Sequence, residues 1–326
     1  MPCEANFVVV KGKAGLGNRM LSAMNGILFA RLSNRRIVID WGDHTYSNDG
    51  INIFPRLFSL SGSDDKLPEV ARESVSPSVW RGRLDKSAND VVEEINPRAH
   101  RGRSGRRAFS VDLRQLGHRE RTLVMWSYDQ HISHLRRHFI GNFAELGRKS
   151  DEEIMSWLLR DVMVLQPYLA AQVKTWWSQH IPNRPVIGVH VRFMDRRTSI
   201  RSFHKVIDRL LVQQPAATIF LATDNLDAQK NIEARYPRVI FTKKWFPDTG
   251  VSMHQNPKCP DRFANAIEAV IDMYLLAKCD YLVFPGSSTF SYISSLITTM
   301  PQDHIIDVER NDPIIRLKKL ARRWLS

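Results

Sequence analysis

Along the second half of the chain, apolar residues cluster in short, nearly continuous runs separated by stretches with helical spacing. Pro185-Val-Ile-Gly-Val-His-Val191, Ala217-Thr-Ile-Phe-Leu-Ala-Thr-Asp224 and Tyr281-Leu-Val-Phe284 have strand length, and 239–242 and 304–308 are shorter runs of the same kind. Between them, apolar residues three and four apart predict helices over about 202–213, 226–236, 264–278 and 289–298. Unbroken apolar strands are buried on both faces, and their alternation with helices implies a parallel sheet covered on both sides. The front of the chain repeats the theme. A strand, Phe7-Val-Val-Val10, leads into a glycine loop, Gly12-Lys-Ala-Gly-Leu-Gly17, then a helical stretch over 18–32 and a second strand over 36–40. Residues 60–120 are rich in Ser, Pro and Arg and predict little regular structure. A strand at 122–126 and helices near 130–146, 151–160 and 167–180 follow, and Ile181-Pro-Asn-Arg-Pro185 then interrupts the pattern. Two α/β domains are expected, 1–182 and 183–326.

The chain has 326 residues, 43% of them apolar, enough for two domains of roughly 150 residues with real cores. No apolar run approaches the roughly 18 residues of a membrane span. The start of the chain lacks a basic stretch followed by an apolar one, so no secretion signal is read. Cys3, Cys259 and Cys279 are odd in number and scattered, which argues against a disulfide framework or zinc cluster and for a reduced, cytoplasmic protein.

The net charge of +13 changes the picture, because it calls for an anionic partner. Arg98, Arg101, Arg103, Arg106 and Arg107 form one basic cluster, and Arg316, Lys318, Lys319, Arg322 and Arg323 another. Both are equally readable as solvated faces. In the second cluster Ile314, Ile315, Leu317, Leu320, Ala321, Trp324 and Leu325 fall largely on one helical face. Packing on the neighbouring domain is the favoured reading of that face. Peripheral contact with an anionic membrane is the alternative.

Ligands of doubly wound sheets bind beyond the carboxyl ends of the strands. Those ends carry His190 and Arg192, then Asp224, then Ser287, Ser288 and Thr289 opening a helix. An arginine fork and a helix N-terminus suit a diphosphate, and a carboxylate suits ribose hydroxyls or a guanine edge. Each residue has an ordinary alternative: the hydroxyls as helix caps, His190 as a core histidine, Arg192 paired to a local acid. The glycine loop lacks the Lys-Ser/Thr of a P-loop and the third glycine of a dinucleotide fingerprint. Gly15, Gly17 and Asn18 remain as a turn able to approach a phosphate or sugar closely. No metal-binding motif is present, so neither metal nor resident cofactor is expected. Six tryptophans (Trp41, Trp80, Trp126, Trp176, Trp177 and Trp245) are candidates for stacking on sugar rings, with burial in the core the commoner fate.

Five segments in fixed order then resemble a known family. They are Gly15-Leu-Gly-Asn-Arg-Met20, Ile187-Gly-Val-His-Val-Arg192, Phe220-Leu-Ala-Thr-Asp224, Ile271-Asp-Met-Tyr-Leu-Leu-Ala-Lys-Cys279 and Ser287-Ser-Thr-Phe-Ser291. Together they resemble the α-1,6-fucosyltransferases, most of all the rhizobial nodulation fucosyltransferases that decorate chitin oligosaccharides. The resemblance implies a GT-B fold, two Rossmann-like domains facing a cleft. It implies GDP-β-L-fucose as donor, no metal, inversion at the anomeric carbon, and an oligosaccharide, glycolipid or polysaccharide acceptor. It assigns Arg192 to the β-phosphate, His190 and Asp224 to the nucleoside, and Ser287 to Thr289 to the phosphates. Asp272 would brace that loop. Asp195 and Arg196 match two further catalytic-loop residues. Phe193 departs from a second basic residue, and Ile200 stands where animal members carry a Glu proposed as base. His204 and His254 are weak substitutes for that base. Trp245 and His254 lie in a long loop on the presumed acceptor side. Two alternatives stay open: a transferase of another GDP- or NDP-sugar, and a basic nucleic-acid-binding protein. The second is disfavoured because the 98–107 cluster matches no nucleic-acid motif and has little interleaved aromatic surface.

Overall fold

A computed structural model describes residues 5–98, 107–181, 184–192, 199–246 and 256–310. The chain divides into two compact units, Met1–Leu165 and Gln166–Ser326. The second unit therefore begins before the proline-rich interruption at 181–185. The cause is the Pro167–His180 helix, whose Val173 packs with Phe220, Leu275 and Leu282 of the second core and whose Trp176 meets Phe220 edge-on.

In the first unit, strands β1 (Phe7–Lys11), β2 (Arg36–Asp40), β4 (Val75–Ser76) and β5 (Thr122–Met125) form one parallel sheet in the order β2-β1-β5-β4. β3 (Phe58–Leu60) and β6 (Met163–Leu165) form a separate antiparallel pair. All five residues of β1 are buried, as its unbroken apolar run requires. The Leu16–Leu32 helix lies close on this sheet because Gly26 has no Cβ; one would fall 2.3 Å from Val10 Cγ2. Gly12 serves a second close approach, since a Cβ there would stand 2.4 Å from the Arg19 guanidinium. Lys11 and Arg19, two of the buried cations of this unit, have carboxylate partners. Lys11 pairs with Asp40 at 2.6 Å, and Arg19, fully buried, pairs with Asp43 at 2.5 Å.

The irregular middle matches its composition. Its described residues include short turns and the Ala88–Ile95 helix, fixed by a capping box between Ser87 and Asp90. The helix expected over 130–146 is instead a short helix, Ile132–Leu135, followed by 3-10 turns to Arg148. Gly141 adopts a positive φ of 56°, which breaks any continuous helix there. The helix expected over 151–160 ends at Trp157 and widens into a π turn, Leu158–Val162, before β6.

In the second unit β7 (Val186–Val191), β8 (Thr218–Thr223), β9 (Val239–Ile240), β10 (Tyr281–Phe284) and β11 (Ile305–Asp307) form a parallel sheet in the order β11-β10-β7-β8-β9. Alternate side chains of each strand enter different cores. Ile187, Val189, Val191, Ile219 and Leu221 meet Phe203, Ile207 and Ile232 from the Ile200–Gln213 and Leu226–Arg235 helices. Val186, Phe220, Ala222 and Leu282 meet Val173 and, from the Arg262–Lys278 helix, Leu275 and Leu276. The sheet is thus covered on both faces, and only its rim is open to chemistry. Among the described residues no helix is long and apolar enough to cross a membrane. The C-terminal segment 311–326 and most of the 98–107 arginine cluster lie outside the described residues.

Removing one partner of a buried ion pair strands the other. Arg19→Met should therefore cost about 3–5 kcal/mol of unfolding free energy in urea, with the double variant Arg19→Met/Asp43→Asn losing less. A loss below about 1 kcal/mol would show that the pair does not hold the glycine loop.

Candidate functional site

The strand order of the second sheet reverses between β7 and β10. From β7 the chain winds through β8 to β9 on one side, then crosses to β10 and β11 on the other. In sheets of this kind the reversal is where ligands bind, at the carboxyl ends of the two strands, and that switch point is the candidate crevice here. β7 delivers His190 and Arg192 to it, and β10 delivers the Pro285–Ser288 turn and the Thr289–Ile297 helix. His190 joins the two sides: its Nδ1 lies 3.0 Å from Ser291 Oγ, and its ring stacks on Phe290 with centroids 4.7 Å apart. The imidazole is buried, and its pKa falls to about 3, first through loss of hydration and then through the positive charges of Arg192 and Lys244. It is neutral at physiological pH, so its second ring nitrogen is a neutral group and adds no charge to the crevice.

The hydroxyl loop is held from β11. Gly286 N–H donates to Asp307 Oδ1 at 2.8 Å, and Ser287 N–H donates to Glu309 Oε2 at 2.8 Å. Two backbone donors that would suit a phosphate are thus taken by carboxylates. The N–H groups of Thr289, Phe290 and Ser291 have no partner within the helix, as at any helix start. Ser288 occupies the cap position without making a cap bond; its Oγ is buried and has no hydrogen-bond partner. A helix terminus with a buried hydroxyl that has no partner among the described residues is the kind of group that can accept an anion. The carboxylates of Asp307 and Glu309 fix its backbone.

Asp224 follows β8 and is half-buried, while Asn225 caps the next helix by accepting from Ala228 N–H at 2.8 Å. Asp272 has a different role from the expected brace on the 287–289 loop. It accepts from Thr242 Oγ1 at 2.7 Å and forms a buried ion pair with Lys244. Lys244 escaped the sequence reading because Lys243-Lys244 after a short strand resembles a solvated basic patch; only its place at the end of β9 pointed inward. Glu268 escaped it too. It sits one turn before Asp272, burial raises its pKa, and its Oε2 is enclosed without a partner.

The other expected residues divide clearly. Asp195, Arg196 and His254 lie outside the described residues, and Trp245 is half-buried. Both ring nitrogens of His204 are engaged, by the Tyr236 hydroxyl and Asn231 Oδ1, each at 3.0 Å. Gly15, Gly17 and Asn18 stand on the first unit, where Gly15 precedes the Leu16–Leu32 helix and accepts from Asn18 N–H at 3.0 Å. Trp41, Trp80 and Trp126 are core residues. Among the described residues no group of three or more His, Cys, Asp or Glu is placed to hold a metal ion.

The depressed pKa of His190 has a pH signature. Below its ordinary value of 6.5 the unfolded chain takes up a proton that the folded chain refuses until about pH 3. Folding stability should then fall by about 1.4 kcal/mol per pH unit as pH drops from 6.5 towards 4. A His190→Gln variant should lack that component. Parallel stability-versus-pH curves for the two proteins would refute the assignment.

Comparison with known proteins extends these observations. The profile of the Nodulation protein Z (NodZ) family matches residues 144–321. Nodulation protein Z of Bradyrhizobium diazoefficiens is 23% identical over 341 residues, covering 94% of this chain and 82% of its own length. Nodulation protein Z of Azorhizobium caulinodans is 25% identical over 333 residues, covering 90% of both. The crystal structure of NodZ alpha-1,6-fucosyltransferase soaked with GDP-fucose superposes with a TM-score of 0.59 at 21% identity, over 90% of this chain and 93% of that one. This likeness establishes a shared α/β fold of GT-B type. With more than half of its length matched by the family profile, the chain belongs to the Nodulation protein Z family.

Proposed function

We propose that the protein is an inverting fucosyltransferase that moves L-fucose from GDP-β-L-fucose to a hydroxyl of a saccharide acceptor, with α-1,6 linkage. The observation that carries the reading is the crevice between β7 and β10. There His190 ties the strand end that bears Arg192 to the start of the Thr289–Ile297 helix. Family membership supports the choice of donor, since relatives have been crystallised with GDP and with GDP-fucose.

In this reading Arg192 and the helix N-terminus hold the diphosphate. The acceptor hydroxyl attacks the anomeric carbon from the face opposite the nucleotide. The C–O bond to the diphosphate breaks, and GDP leaves with the bonding pair. The hydroxyl proton passes to a general base, a role Ile200 cannot fill at the position where animal members carry a Glu. Positive charge placed before the reaction stabilises the departing diphosphate, and no metal is needed for that neutralisation. The acceptor is an oligosaccharide, glycolipid or polysaccharide. A cytoplasmic site of action is part of this reading, and the free Cys259 and Cys279 support it.

GDP should raise the melting temperature, and at 100 times its Kd should stabilise the fold by about 2.7 kcal/mol. UDP and ADP should do much less. Equal shifts with all three nucleotides would remove the guanine assignment. Arg192→Ala should fold normally and lose roughly 10²–10³ in kcat. A folded variant keeping more than half of the activity would show that Arg192 does not face the diphosphate.

A further inference from the structure

Three cations crowd the carboxyl end of β1, and two of them are neutralised in place. Lys11 is paired with Asp40, and Arg19 with Asp43. Lys13 has no carboxylate partner among the described residues. Its Nζ donates to the neutral Asn89 Oδ1 at 2.8 Å and lies 5.6 Å from the centroid of the Trp126 ring. Asn89 donates in turn to Asp43 Oδ2 at 3.1 Å, so the carboxylate nearest to Lys13 is already committed to Arg19 and Asn89.

The position of Lys13 is as informative as its partners. The first sheet has the order β2-β1-β5-β4, so strand order reverses between β1 and β5. Lys13 follows β1, and Trp126 follows β5. They flank the first unit's own switch point, where a doubly wound sheet takes its ligands. Lys13 is half-buried, and loss of hydration lowers its pKa despite the more distant charges of Asp43, Glu93 and Asp90. The Trp126 Nε1 is also buried without a hydrogen-bond partner. A partly buried ammonium held only by an amide and an aromatic face carries charge that a ligand can complete.

We propose that Lys13 marks an anion-binding site at the β1–β5 switch point, its ammonium group taking an oxygen of a phosphate or carboxylate. Two sources share that chemistry: a free phosphate or pyrophosphate, and an acidic group borne by the acceptor. Only the naming of these sources rests on the glycosyl-transfer reading.

The test titrates wild-type, Lys13→Met and Lys13→Arg proteins with inorganic pyrophosphate, GDP and trigalacturonic acid by calorimetry, with neutral chitotriose as control. Lys13→Met should weaken the anion at this site by about tenfold or more, and Lys13→Arg should restore much of it. Weakening of pyrophosphate assigns a free phosphate or pyrophosphate, and weakening of trigalacturonic acid alone assigns the acceptor; either supports the site, while GDP reports on the second unit and should keep its affinity. If pyrophosphate and trigalacturonic acid both keep their affinities in Lys13→Met, or wild type binds neither of them, the site does not exist. A measurement on wild type alone guards against misfolding: acetylation of Lys13 by acetic anhydride, followed by mass spectrometry, should slow when the bound anion saturates. Undiminished acetylation would overturn the proposal. GDP bound equally by wild type and Lys13→Met, with the other anions unaffected, removes this site and leaves the donor reading intact. Trigalacturonic acid bound through Lys13, with no GDP binding at all, does the reverse.

Discussion

A buried, neutral imidazole sits where the second sheet changes direction, and the arrangement of the candidate site depends on it. His190 reaches from β7 to Ser291 and lies flat on Phe290, so the end of one strand and the start of the helix after another are held together. The contact works only because the ring is uncharged; a buried imidazolium between Arg192 and Lys244 would be strongly disfavoured. Burial first, and then the charges of Arg192 and Lys244, keep the proton off the ring. The proposed diphosphate site is consistent with that: a neutral His190 joins the strand end to the helix without adding charge of its own.

The surrounding charges follow one rule. Charges taken out of water find partners: Lys244 pairs with Asp272, Arg19 with Asp43 and Lys11 with Asp40, while Arg35 donates to the carbonyls of His118, Glu120 and Arg121. Asp307 and Glu309 spend their oxygens on the Gly286 and Ser287 backbone and hold that loop in one shape. Departures from the rule stand out. Among the described residues, Glu268 of the Arg262–Lys278 helix keeps an enclosed oxygen without a partner, and Lys13, just after β1, keeps a charge without a carboxylate partner.

Much of this was legible in the sequence, for a physical reason. A parallel sheet buried on both faces demands unbroken apolar strands, and those runs placed β1, β2, β5, β7, β8 and β10 nearly to the residue. Because such a sheet leaves only its rim for chemistry, the strand ends pointed to His190, Arg192 and Asp224 as candidates, and the structure sets His190 against the start of the Thr289–Ile297 helix. Short or isolated pieces were harder. β3 and β6 pair across 105 residues of chain, and neither has a pattern of its own. Glycine at 141 broke a helix that apolar spacing alone suggested. The partners of Asp272 were missed because an ion pair between residues 28 apart leaves no local trace. Lys13 was hidden in the glycine loop, where attention to backbone freedom obscured a side chain.

The central claim is spatial: the nucleotide occupies the switch point of the second unit. A crystal structure of the protein grown with saturating GDP tests it most directly. The account predicts diphosphate density bridging Arg192 and the first turn of the Thr289–Ile297 helix, within hydrogen-bond distance of Ser288 Oγ. GDP bound elsewhere on the protein, with this crevice empty, would contradict it.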